Sequence, residues 1–272
     1  MVKVARRFTV TGPRSAQATG ISMMSRRAWL TRGHLAGLLL IALLAGPAVG
    51  QPPQGEKKTI PPAMKYYKGR EIAQAMHYEG APWLVRESRQ REEDCASLLK
   101  ELRLRRGQRV CDMGCGNGFY ALKMAKIVGP QGKVYAVDIQ PQMLRLLKAR
   151  AAEAKIENIV PVLGSLNDPK LPEGELDLAL LVDVYHEFSH PEPMLAAIRK
   201  SLKPQGVIAL GEFRLEDPQV PIKLLHKMSK KQIMKEFPPN GFRLVRQYDK
   251  LPWQHLMFFG RDDAKDVSEI KR

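Results

Sequence analysis

From about residue 90 onward, short apolar runs alternate with segments whose apolar residues recur at helical spacing. The run at 109–112 is short and leads directly into a glycine-rich loop. The next segment, 119–128, places Ala121, Ala125 and Val128 on one face of a helix. Strands that alternate with helices in this way are typical of a parallel sheet covered by helices.

The alternation continues to the end of the chain and predicts its order of elements. The predicted strands are 109–112, 134–138, 159–163, 178–183, 207–211, 242–248 and 255–260. The predicted helices after the first strand are 119–128, 141–151, 193–202 and 222–237. The last two strands are joined closely, which favours an antiparallel hairpin at the sheet edge. We therefore predict an α/β fold whose seven-stranded sheet has five parallel strands, a C-terminal antiparallel hairpin, and helices on both faces.

The first 50 residues have the features of a targeting segment. Arg26 and Arg27 precede an apolar stretch at 35–49. Its length of about 15 residues is short for a membrane span, which needs about 20, and suits the core of a signal peptide. The paired arginines resemble a twin-arginine export signal. We predict that residues 1–50 are a signal peptide or a membrane anchor that engages the export machinery or the inner membrane, so the protein is periplasmic or membrane-associated.

Composition divides the rest of the chain into four segments. Residues 51–62 are rich in Pro, Gly, Gln and Lys and form a predicted flexible linker. Residues 63–94 form a predicted N-terminal helical segment, and 263–272 are a charged tail. The predicted catalytic domain covers 95–262.

The net charge argues against a nucleic-acid partner once its distribution is considered. The chain of 272 residues carries +16, but residues 1–50 contain seven Lys or Arg and no Asp or Glu. The remainder has 37 basic and 28 acidic residues, a moderate excess. It lacks a basic run interleaved with aromatic residues of the kind that follows a phosphate backbone.

The cysteines predict neither a disulfide framework nor a metal site. Three cysteines cannot all pair, and two of them, Cys111 and Cys115, flank the glycine-rich loop. Their spacing lacks the second pair of ligands that a zinc site needs. Asp183 also lacks clear partner ligands in the sequence, so we predict no bound metal.

The glycine-rich loop is the first chemical signal in the chain. Gly114 and Gly116 follow a predicted buried strand, and such turns let a backbone approach a nucleotide-like ligand. A dinucleotide fingerprint requires a third glycine at the position that Phe119 occupies here. Asp112 would repel a pyrophosphate, whereas it could receive a cationic amino group. This combination favours S-adenosyl-L-methionine (SAM), which has an ammonium group and no phosphate.

A second acidic residue ends the next strand. The Asp138 carboxylate can accept hydrogen bonds from both hydroxyls of a ribose, and Ile139 offers an apolar face to adenine. Asp138 could alternatively cap the helix that begins at Pro141.

With these residues, the segment from about 90 to 262 resembles the class I SAM-dependent methyltransferases, which have a Rossmann-like fold. Residues 162–166 correspond to the family's adenine-contacting turn, with Ser165 where most members have an acid, so the contact could shift to Asn167 or Asp168. Residues 202–206 resemble the family's turn before the fifth strand. The resemblance implies SAM as the methyl donor. It also implies that residues 63–94, which we call the lid segment, cover the acceptor pocket and exclude water. Alternatively, this segment is a hydrophobic brace on the sheet edge. The predicted SAM-binding residues are Asp112, Gly114, Cys115, Gly116, Asp138, Ile139, Ser165, Leu166, Asn167, Asp168 and Asp183.

The methyl acceptor is predicted to lie beside the end of the fourth strand, at 183–188. His186 is the candidate general base and Tyr185 an alternative group that positions the acceptor. His186 could instead pack on the following helix or contact the methionine part of SAM. Glu212 and His226 are expected on the same rim.

The sequence thus predicts transfer of a methyl group to a small-molecule acceptor. Two alternatives remain: a non-catalytic SAM-binding protein on the same fold, and a dinucleotide-binding oxidoreductase, which the glycine spacing disfavours. Because SAM is made in the cytoplasm, a cytoplasmic location is the alternative to export.

Overall fold

A computed structural model describes residues 60–264 of the chain. The predicted signal or anchor at 1–50, most of the linker and most of the charged tail lie outside the described residues. Between residues 60 and 264, none of the helices combines the length and apolar character that crossing a bilayer requires.

A small hairpin precedes the main sheet. Strands β1 (Tyr66–Tyr67) and β2 (Arg70–Glu71) pair antiparallel. The main strands are β3 (Arg109–Met113), β4 (Lys133–Asp138), β5 (Ile159–Leu163), β6 (Leu176–Val182), β7 (Leu202–Arg214), β8 (Lys227–Met228), β9 (Phe242–Tyr248) and β10 (Gln254–Arg261).

The main sheet has the order β5-β4-β3-β6-β7-β10-β9, with β8 beside the end of β7. The pairs from β5 to β7 are parallel, and β10 is antiparallel to both β7 and β9. The prediction of five parallel strands followed by an antiparallel hairpin is therefore confirmed.

Helices surround this sheet, and several segments are short 3-10 turns. The α-helices are α1 (Arg89–Glu93), α2 (Cys95–Glu101), α3 (Phe119–Val128), α4 (Pro141–Glu153), α5 (Pro191–Ser201) and α6 (Lys230–Glu236). The 3-10 helices are Tyr78–Val85, Tyr185–Glu187, Leu224–His226 and Pro238–Asn240.

The core consists of two apolar layers, one for each set of alternating side chains in the sheet. In β3, Val110 belongs to one layer, whereas Cys111 and Met113 belong to the other. Successive side chains of a strand point to opposite faces, so both faces of β3 are buried. This explains the near-continuous apolar runs in the sequence.

The predicted long helix at 222–237 is wrong. Lys227–Met228 forms β8, which pairs in parallel with the end of β7. The following helix, α6, starts only at Lys230, where the Ser229 hydroxyl accepts a hydrogen bond from the Gln232 amide at 3.1 Å. Strand pairing with a partner distant in sequence overrides the local helical pattern, and Leu224–His226 becomes a separate 3-10 turn.

The lid segment is tied to the catalytic domain by a buried ion pair. Arg70 Nε donates to Glu236 Oε1 at 2.7 Å, and Arg70 Nη1 donates to the His186 carbonyl at 2.9 Å. The Arg70 side chain is 11% exposed and that of Glu236 is 0% exposed. Removing the arginine would leave an uncompensated carboxylate in the interior.

We therefore expect Arg70→Met to lower the free energy of unfolding by about 3–5 kcal/mol. Lys65→Ala, which removes one partner of the exposed Lys65–Glu71 pair, is the control and should change stability by less than about 1 kcal/mol. Urea unfolding of the three proteins measures both values. Equal losses for the two variants would contradict the structural role of the Arg70–Glu236 pair.

Candidate functional site

A cavity of about 430 Å³ opens at the carboxyl ends of the parallel strands. Ligands bind at this edge in open α/β sheets, because the loops after the strands converge there. Met113, Asp138 and Asp183 line the cavity from the ends of three strands, and Phe213 lines it from β7. Trp83 in the lid segment also lines it.

The glycine-rich loop forms one wall of the cavity. Gly114 and Gly116 have φ values of +65° and +51°, which non-glycine residues rarely adopt. A Cβ at Gly114 would lie 2.3 Å from Val184 Cγ2, and one at Gly116 would lie 2.4 Å from Leu84 Cδ1. Glycine is therefore required at 114 by both conformation and space, since the short valine side chain cannot easily move away.

Asp138 lies at the end of β4, where the sequence predicted it. Its Oδ2 accepts a hydrogen bond from the Gly116 amide at 2.9 Å, and Oδ1 accepts one from the Gln140 amide at 2.8 Å. Burial raises the pKa of this carboxyl, and the backbone hydrogen bonds oppose that increase. Asp138 and Ile139 both line the cavity, so they are placed to receive a ribose and an adenine.

Asp112 is buried beneath the loop and does not line the cavity. Its Oδ2 has no hydrogen-bond partner among residues 60–264. Burial raises its pKa to about 7, although the Ala121 amide and the Arg89 guanidinium oppose this increase. Asp112 can influence a bound cation through its charge, but its side chain is not presented to the cavity.

The remaining predicted SAM-binding residues fall into two groups. Ser165, Leu166 and Asp183 line the cavity, whereas Cys115, Asn167 and Asp168 do not. Residues 165–168 form a turn that is stabilised by its own side chains. The Ser165 hydroxyl lies 3.0 Å from Asn167 Oδ1 and donates a hydrogen bond to the Asp168 carbonyl at 3.1 Å. The suggested shift of the adenine contact to Asn167 or Asp168 finds no support in this placement.

Asp183 directly follows β6 and lines the cavity. Its φ of +52° is unusual for a residue other than glycine. Oδ2 accepts a hydrogen bond from Gln254 at 2.6 Å, while Oδ1 lacks a partner in the described part of the chain. Burial, together with the charges of Glu93 and Glu212, raises its pKa well above the ordinary value. An orphaned buried carboxylate of this kind is suited to a cationic ligand.

His186 is held at the cavity by a buried carboxylate. Its Nδ1 lies 2.7 Å from Glu212 Oε2, and its Nε2 lies 3.0 Å from His226 Nδ1. Burial alone would lower the pKa of His186, but the charge and hydrogen bond of Glu212 outweigh it, so the pKa is raised. His186, Glu187 and His226 all line the cavity.

Tyr185 is placed differently from the prediction. Its hydroxyl donates to Glu236 Oε2 at 2.8 Å, and its ring packs edge-on against Phe188 and Phe237. The side chain is fully buried and does not line the cavity. The structure thus presents His186 to the cavity and Tyr185 to the core, so a role for Tyr185 in positioning the acceptor is not supported.

Polar contacts hold the lid segment against the cavity. Gln140 Nε2 donates to the Met76 carbonyl at 2.8 Å, and the Asn117 amide group donates to the Ala81 carbonyl at 2.9 Å. Arg89 and Gln140 line the cavity, yet neither was predicted from the sequence. Neither residue belongs to a motif, so only their placement in space identifies them.

The lining of the cavity therefore fits the SAM expected from the sequence resemblance. Asp138 offers acceptors for ribose hydroxyls, and Ile139, Met143 and Leu166 offer apolar surface to a base. The orphaned Oδ1 of Asp183 offers an acceptor for an ammonium group.

The raised pKa of Asp112 gives a prediction for stability. Between about pH 4 and pH 7 the folded protein retains a proton that the unfolded chain has lost, so the free energy of unfolding falls as pH rises. In Asp112→Asn this dependence disappears, and the stability of the variant relative to wild type should increase by up to about 4 kcal/mol across that window. Urea unfolding at pH 4, 5.5 and 7 measures the change, and a pH-independent difference would contradict it.

Comparison with known proteins agrees with this geometry. The family profile described as "Methyltransferase domain" matches residues 104–258. The demethylmenaquinone methyltransferase of Staphylococcus aureus is 24% identical over 173 residues, which are 63% of this chain and 70% of that protein. A transposon TN4556 protein of Streptomyces fradiae is 30% identical over 115 residues, 42% of this chain and 33% of the relative.

The fold also matches a solved structure. A SAM-dependent methyltransferase from Aquifex aeolicus superimposes with a TM-score of 0.64 at 24% identity, covering 68% of this chain and 98% of that one. The profile match spans more than half of the 272 residues. The chain therefore belongs to the family of methyltransferase domains.

Proposed function

We propose that the protein transfers a methyl group from SAM to a small, largely apolar acceptor bound next to His186. The observation that carries this proposal is a single cavity that joins the SAM-type residues Gly114 and Asp138 to the His186–Glu212 pair. SAM supplies an electrophilic methyl group on a sulfonium. The protein's own contribution is to hold donor and acceptor in line and to accept a proton.

His186 is the proposed general base. When Nδ1–H donates to Glu212, Nε2 carries the lone pair, which lies 3.0 Å from His226 Nδ1. An acceptor that takes the place of this His226 contact in the cavity can give its proton to Nε2. The Glu212 carboxylate is completely buried, so its charge stabilises the imidazolium that forms. This arrangement suits an acceptor whose oxygen or carbon must lose a proton as the methyl group arrives.

The proposed acceptor is apolar because of the walls around His186. Trp83, Phe188, Met194 and Phe213 line the cavity. The volume of about 430 Å³ is shared with the donor, so the acceptor is small. The S. aureus relative, by its name, methylates demethylmenaquinone, which supports an aromatic acceptor as the first class to test.

Residues 63–94 are proposed to act as a lid that excludes water from the reaction. The contacts of Met76 and Ala81 with Gln140 and Asn117 support this role. Export or inner-membrane association is likewise a proposal that rests on the sequence of residues 1–50.

Binding of SAM is tested by isothermal titration calorimetry on the full chain. Asp138→Asn should weaken the binding of SAM and of its demethylated product about 10- to 100-fold, because it removes charge from the ribose contacts. Asp168→Asn, at an exposed position outside the cavity, is the matched control and should bind like wild type. If neither SAM nor its product binds wild-type protein, the proposed function is wrong.

Proton removal is tested by activity with labelled SAM and candidate quinols, phenols or a metabolite extract. His186→Asn should reduce kcat about 100- to 10,000-fold with SAM binding retained. Tyr185→Phe removes a neighbouring hydroxyl that faces the core, and should keep kcat within about threefold. A loss of activity in Tyr185→Phe with normal turnover in His186→Asn would contradict the assignment of the base.

A further inference from the structure

We propose that His186, Glu187 and His226 form a binding site for one divalent transition-metal ion of the zinc type. The three side chains come from two 3-10 turns, Tyr185–Glu187 and Leu224–His226. One ligand atom from each lies within 4.8 Å of the others. The proposal does not rest on methyl transfer, because the three ligand atoms and their supporting contacts all belong to the protein.

The distances between the candidate ligand atoms are close to those between atoms that bind one metal ion. Nε2 of His186 lies 3.0 Å from Nδ1 of His226 and 4.0 Å from Oε1 of Glu187. Two ligands at the usual zinc bond length of about 2.1 Å in a tetrahedron are about 3.4 Å apart. The two nitrogens therefore need to separate slightly and the carboxylate needs to approach by about 0.6 Å, which side-chain rotation can supply.

The side chains also have supporting contacts of the kind found behind metal ligands. The Nδ1 of His186 lies 2.7 Å from the buried Glu212 carboxylate, which orients Nε2 toward His226. A carboxylate behind a histidine is the common outer support of a metal-binding imidazole. Glu187 Oε1 accepts a hydrogen bond from the Met76 amide at 3.1 Å, which holds this carboxylate at the cavity.

The charge and donor chemistry define the type of ion. Two imidazoles and one carboxylate are borderline ligands that suit Zn²⁺ and its neighbours better than Mg²⁺ or Ca²⁺, which prefer oxygen. Glu187 and Glu212 place two carboxyl groups beside the imidazoles, and a divalent ion would balance the negative charge of their ionised forms. The positive charge of the nearby Arg70 is already paired with Glu236, so it does not balance these carboxyl groups.

Three protein ligands leave at least one coordination position open, and all three residues line the cavity. A bound ion would use the same Nε2 lone pair of His186 that the proposed base uses. Metal binding and proton removal by His186 therefore exclude each other at this position.

The test is calorimetric titration of Zn²⁺ into untagged, chelator-treated full-length protein without SAM. Wild type should bind one ion in a step that His226→Ala and Glu187→Gln each weaken about tenfold or more. Glu187→Gln keeps an oxygen that can accept from the Met76 amide, so it tests the charge with little change of shape. His77→Ala removes an exposed imidazole, and this matched control should bind within about twofold of wild type.

Thermal unfolding of each variant shows whether it is folded. The same measurement with Zn²⁺ is a second readout: the melting temperature should rise for wild type and His77→Ala, and should not rise for His226→Ala. Equal zinc affinity in His226→Ala and wild type, or equal weakening in His77→Ala, would overturn the proposal. Failure of SAM to bind in the separate SAM titration would overturn the proposed function and leave the metal site standing.

Discussion

The buried carboxylate of Glu212 organises the part of the cavity around His186. Its Oε1 accepts from the amides of Tyr185 and His186 at 2.9 and 3.3 Å, and its Oε2 meets the His186 ring at 2.7 Å. A carboxylate with no exposure to water is stable only when such donors satisfy it. Glu212 therefore fixes both the turn after β6 and the orientation of the imidazole, and the proposed base and metal site both depend on it.

Two other buried carboxyl groups, at the ends of β3 and β6, lack the hydrogen bonds that Glu212 has. Asp112 and Asp183 each have a buried carboxylate oxygen that no residue in 60–264 satisfies. Burying such groups costs stability in the ligand-free protein, and a cationic ligand would recover part of that cost. The raised pKa values of both groups express the same constraint.

The pattern of apolar residues predicted many of the helices and strands, because this periodicity depends only on residues close together in the sequence. The helix at 119–128 and the strand at 159–163 were predicted with the bounds that the structure has. The segment 222–237 was predicted wrongly because pairing of Lys227–Met228 with β7 is non-local. The role assigned to Tyr185 lost support for a similar reason: whether 185 or 186 faces the cavity depends on the turn that Glu212 and Arg70 hold in place.

The sequence by itself determined most of the strands and helices along the chain, the glycine-rich loop and the acid that ends β4. Apolar periodicity is set by residues close together in the chain, and the loop and the acid each lie directly at the end of such an apolar run. Tertiary structure alone decided that Glu212 and His226, which are 26 and 40 residues from His186, meet its ring on opposite sides. Parallel strands bring their carboxyl ends to one edge regardless of the intervening length, so contacts made there leave no periodic trace in the chain.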